Sequence, residues 1–104
     1  METEKGTLSI GVEFGGKMHR DFELRPLTVG DSVTGYEYPG AKTNEVLYGV
    51  VIMTRRLVKL GDIPAASITP DLILSMHDAD FKLLLTADEA LGERLATFRG
   101  EKQA

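Results

Sequence analysis

The chain has 104 residues, with Lys and Arg numbering 12 against 16 Asp and Glu, a formal net charge of −4, 42% hydrophobic and 27% charged residues. That is ordinary composition for one globular domain, 1–104, with a modest core, and it offers no clustered basic face for phosphate backbones. The lack of cysteine excludes disulfide scaffolds and thiolate metal sites, the polar start Glu2-Thr3-Glu4-Lys5 holds no signal-peptide core, and the longest apolar run, 46–53, is far short of the ~20 residues that span a bilayer.

Residues 7–14 alternate strictly, with Leu8, Ile10, Val12 and Phe14 on one side and Thr7, Ser9, Gly11 and Glu13 on the other. This period predicts a half-buried strand. Gly15-Gly16 supplies a tight turn, and Met18, Phe22 and Leu24 carry a second strand, so 7–25 reads as a hairpin. A lone hairpin is marginal in water, and its apolar face therefore needs helices to cover it. Pro26 ends the ladder because it has no N–H to donate. Thr28, with Asp31 three residues on, has the form of a helix start, and a short helix to about Tyr38 is expected before Pro39-Gly40.

Val46, Val50, Met53, Leu57 and Leu60 are spaced 4, 3, 4, 3, which predicts one helix from about Asn44 to Leu60. Arg55, Arg56 and Lys59 would complement its C-terminal dipole and Gly61 would follow at C′. The alternative is a strand over 46–53. Thr69-Pro70-Asp71 combines a cap, an N1 proline and a first-turn acid, and opens a further short helix. In the last helix Phe81, Leu84, Ala87, Leu91, Leu95 and Phe98 make a continuous apolar stripe. Residues 1–6 and 100–104 read as frayed tails. The fold class is therefore α+β: an N-terminal antiparallel β-hairpin (7–25), then three to four helices within 28–98.

Chemistry-bearing residues are few. His19 reads as a solvated hairpin histidine. His77-Asp78-Ala79-Asp80 is the one local cluster resembling metal ligands, but it lacks calcium-loop spacing or a second histidine at i+4. Asp78 as a cap and Asp80 near a helix N-terminus account for it. Asp31, Glu37 and Glu45 are not brought together by any pattern. No catalytic group, cofactor or metal is expected. What stands out is apolar helix surface in excess of what one hairpin covers, available as core, as a groove for another helix or as a self-association face.

The order of these pieces resembles the Mu-like phage and prophage tail assembly chaperone family of contractile-tailed phages. The residues that carry the likeness are Phe22-Glu23-Leu24-Arg25-Pro26-Leu27-Thr28-Val29-Gly30-Asp31, Leu60-Gly61, Ile68-Thr69-Pro70-Asp71-Leu72 and Asp78-Ala79-Asp80-Phe81. Leu27, between Pro26 and Thr28, and the glycines at 30 and 35 depart from the family pattern. The resemblance implies a non-enzymatic protein of the host cytoplasm that binds the tape measure protein, or another tail protein, before the tube polymerises, and is absent from the finished particle. Leu83, Leu84, Leu91, Leu95 and Phe98 are the candidate partner-binding residues, with homo-oligomerisation as a further use of the same face. A permanently held structural or adaptor subunit of a virion or other assembly is the competing expectation.

Overall fold

In the computed structural model residues 2–100 are described, with side chains through residue 97. Strand β1 (Glu4–Phe14) and strand β2 (Lys17–Leu24) form the hairpin, joined at Gly15-Gly16. Helix α1 (Val29–Tyr36) follows, then a 3₁₀ turn at Ala41–Thr43, helix α2 (Glu45–Arg56) and strand β3 (Leu57–Leu60). A second 3₁₀ turn at Ala65–Ser67 leads to helix α3 (Pro70–Leu74) and the long helix α4 (Asp78–Gly100). The sheet is antiparallel in the order β1-β2-β3. The α+β class with an N-terminal hairpin is thus observed, with a third strand added to it.

That strand corrects the expected helix over 44–60. Residues 46–53 are helical, but the helix stops at Arg56 and Leu57–Leu60 pairs with β2, Phe22 opposite Leu60 and Leu24 opposite Leu57. The pairing leaves Leu57 and Leu60 buried and Val58 and Lys59 outside. The backbone of Arg25 donates to the Arg56 carbonyl at 3.0 Å, so the strand begins where the helix is pulled against the end of β2. Gly61 is consequently not a helix C′ residue. It sits at φ +56 after β3, donates to the Asp21 carbonyl at 2.7 Å, and a Cβ there would stand 2.4 Å from the His19 ring.

The helix starts follow their sequence signals. Thr28 and Asp31 form a reciprocal capping box on α1, Asn44 caps α2 through the Leu47 amide, and Thr69 caps α3 with Pro70 at its first turn. At α4 the cap is His77, whose Nδ1 accepts from the Ala79 amide at 3.1 Å; Asp78, expected as cap, is the first helical residue.

The core lies between the sheet and the helices. Leu8, Val12, Phe22 and Leu24 from the hairpin meet Val50, Met53, Leu57, Leu60, Ile63, Ile73, Met76, Leu84 and Ala87. The alternation expected along β1 is broken inside it. Thr7 pairs with Asp21 and Val12 with His19, so Leu8, Ser9, Ile10 and Gly11 stand opposite Arg20 alone. This enlarged bulge turns Ile10 out to solvent while Leu8 and Val12 stay buried. Met18 is likewise exposed, and the buried place near the turn is taken by His19.

β1 also starts at Glu4, ahead of the expected residue 7. Arg94 of α4 holds this end: Nη1 meets Glu4, Nε donates to Glu2 at 3.1 Å and Nη2 to the Thr3 carbonyl at 2.7 Å.

Candidate functional site

The charged residues of most interest in the sequence are occupied by the fold. Asp80 is fully buried. Its Oδ1 accepts from the Ser9 amide at 2.7 Å and its Oδ2 from the Gly11 amide at 2.8 Å, with the Ile10 amide shared between them. The bulge in β1 frees these three N–H groups from the ladder and turns them toward one point, and the first turn of α4 supplies the carboxylate that satisfies them. Gly11 allows it: its φ is +99, and a Cβ would stand 2.8 Å from the His19 carbonyl. Burial works to raise the pKa of Asp80, but the amides of Gly11, Ile10 and Ser9 outweigh it and hold the group below its ordinary value. Asp80 is therefore a clamp between α4 and β1. Among the described residues, no group of three or more His, Asp or Glu side chains is placed to hold a metal ion.

Asp31 is the second buried carboxylate. Arg25 grips it with a bidentate pair, Nη1 to Oδ2 and Nη2 to Oδ1, each at 2.8 Å. Arg55 adds Nε to Oδ1 at 3.1 Å, and the Thr28 amide donates to Oδ2 at 2.9 Å. Hydrogen bonding to Arg25 is the leading reason that the Asp31 carboxyl lies far below the usual range, against the opposing effect of burial. One carboxylate thus ties together the end of β2, the start of α1 and the end of α2. Glu37 and Glu45 are not part of it.

Arg55 and Arg56, expected to serve the α2 dipole, each have a specific partner. Arg56 is buried, with Nη2 on Asp88 of α4 at 2.8 Å and Nε on the Arg25 carbonyl at 3.0 Å. His19, expected in solvent, is also buried. Its Nδ1 accepts from the Asp62 amide at 3.1 Å, which assigns the proton to Nε2, and Nε2 donates to the Phe14 carbonyl at 3.0 Å. The ring therefore pins the turn after β3 to the hairpin. No local pattern announces this, since both partners are backbone groups brought in by the sheet.

The proposed partner residues on α4 divide. Leu84 and Leu91 are fully buried; Leu83 and Leu95 are half-buried; the Phe98 side chain lies outside the described residues. Leu84 faces the hairpin core, so what α4 offers a partner is its flank and not its stripe.

Several exposed large apolar residues are grouped at α1. Val29 is 81% exposed, Val33 58% and Tyr36 49%, and Leu27 just ahead of the cap is 47% exposed. Val29 and Val33 stand at i and i+4 on the outer face of the helix, and Tyr36, at i+7, borders the contact with α2. The other face is fixed to α2. Gly35 is buried where a Cβ would stand 2.7 Å from Ile52, Tyr36 stacks on Tyr48 at 4.5 Å between ring centroids, and the Tyr48 hydroxyl donates to the Ser32 carbonyl at 3.2 Å. Glycine at 35 lets α1 lie close on α2, and the cap at Thr28 fixes its rotation. Together they present the valines outward. Sequence alone does not mark this surface, because few apolar residues form it and the glycines at 30 and 35 obscure the helical period.

No family model, no curated protein and no solved structure matches this chain. Among the described residues no helix is long and apolar enough to cross a membrane.

Proposed function

We propose that this protein is a non-catalytic tail assembly chaperone that binds the long, helical tape measure protein while a phage tail is built. The observation that carries this reading is the apolar surface exposed at α1: Leu27 just ahead of the cap, and Val29 and Val33 on a helix that Gly35 and the Tyr36–Tyr48 stack hold against α2. Monomeric proteins seldom leave apolar side chains grouped on one helix face, and such a face suits an amphipathic partner helix. The half-buried Leu83 and Leu95 on α4 extend the apolar surface available. Apolar burial at about 25 cal/mol per Å² is opposed by the cost of association, so a small exposed face suits the weak, reversible contact a transient chaperone requires. The buried carboxylates and the histidine are engaged in holding elements together, which supports a binding role over a catalytic one. The resemblance of residues 22–31, 60–61, 68–72 and 78–81 to tail assembly chaperones supports a tape measure protein as the partner.

The test is co-expression with a candidate tape measure protein, affinity capture of the complex, and assay of finished particles. A chaperone is captured with the tape measure protein and is missing from mature tails. Stoichiometric presence in mature tails would mean a structural subunit instead.

A further inference from the structure

A cleft separate from the α1 apolar row lies where the end of α1, the last turns of α2 and the segment leading into α3 meet. Its volume is about 440 Å³, within the range of clefts that take ligands or peptide side chains. Tyr38, Pro39, Val51, Ile68 and Pro70 make it largely apolar. Its charged wall is Arg55, and this arginine is unevenly used. Nε donates to Asp31, which Arg25 already grips with both terminal nitrogens. Two guanidinium groups thus share one carboxylate, leaving one positive charge uncompensated within the trio. Among the described residues no hydrogen bond engages the Nη1 or Nη2 of Arg55, and its side chain is 41% exposed. Held by Nε, the planar fork is fixed in orientation with its terminal donors free for a second carboxylate.

We propose that this cleft receives a segment of a partner protein in which an apolar side chain stands beside an Asp or Glu. The apolar side chain enters between Tyr38, Ile68 and Pro70, and the carboxylate is taken by the free end of Arg55. Glu37, on the same rim, opposes the incoming charge and keeps the contact weak and reversible. The inference does not depend on the partner being a tail protein.

The experiment is amide NMR titration of the full chain with two blocked peptides, acetyl-Ala-Leu-Glu-Ala-amide and its Gln counterpart. The Glu peptide should shift the amides of Tyr38, Val51, Thr54, Arg55, Ile68 and Thr69 and bind at least fivefold tighter than the Gln peptide. Glu37→Gln, an exposed change with no structural bond to lose, should strengthen the Glu peptide at least twofold and leave the Gln peptide unchanged. Arg55→Gln should erase the difference between the peptides; should that variant not fold, the Glu37→Gln comparison decides alone. Equal binding of both peptides, or shifts scattered away from the cleft, would overturn the proposal. So would shifts of the same amides on raising protein concentration without peptide, since a second copy would then be the occupant.

Discussion

Two buried carboxylates, Asp80 and Asp31, join separate elements beside the shared core, Asp80 to the amides of β1 and Asp31 to Arg25 and Arg55. A charged acceptor that meets three amides contributes more than a neutral one, and removing it leaves buried donors without partners. Asp80→Asn should therefore destabilise the fold by about 2–4 kcal/mol in urea unfolding. The pH dependence has a definite sign. Both groups are held below the ordinary carboxylate value, so their stabilisation is complete above the unfolded value of about 3.9 and is lost as pH falls toward the folded values. The urea midpoint should be flat from pH 7 to about pH 5 and drop below pH 4, and Asp80→Asn should show a shallower drop. Gly11→Ala should cost more than about 1 kcal/mol, because alanine there meets both a positive φ and the His19 carbonyl. A thermal melt of that variant matching wild type would show that the bulge adjusts.

At the scale of elements, the starts of α1 and α3 are legible in the sequence, and the end of α2 and the pairing of β3 are not. Thr28 with Asp31, and Thr69 with Pro70, state their caps within four residues, and both caps are present. Leu57 to Leu60 continues the 3.6 spacing of α2, yet it is a strand, because its partner, β2, lies more than thirty residues earlier and no local pattern encodes that pairing. The same distance hid the roles of His19 and Asp80, whose partners are backbone groups from other elements. The apolar stripe of α4 was read from its period, and its middle is core: Leu91→Ala should destabilise the fold by roughly 2–5 kcal/mol, measured by urea unfolding. By contrast Val33 is exposed, and Val33→Asp should change stability by less than about 0.5 kcal/mol while abolishing capture of the proposed partner, a tape measure protein. Loss of fold in that variant would mean the α1 face is needed for stability and is not a free surface.

At the scale of the molecule, three strands and four helices among the described residues are held by one core and by charged residues that face inward, with apolar side chains left outside on α1. The net charge of −4 is spread thinly, and the arginines at the end of α2 are paired with Asp31 and Asp88. Recognition should accordingly rest on apolar contact, with at most a single partly buried ion pair beside it. Salt screens exposed charges strongly and apolar burial hardly at all. The most direct measurement is the calorimetric dissociation constant for the proposed partner, a tape measure protein, at about 50 mM and about 300 mM salt. The affinity should change by less than threefold; a fall of tenfold or more would show an electrostatic interface and contradict binding through the α1 face.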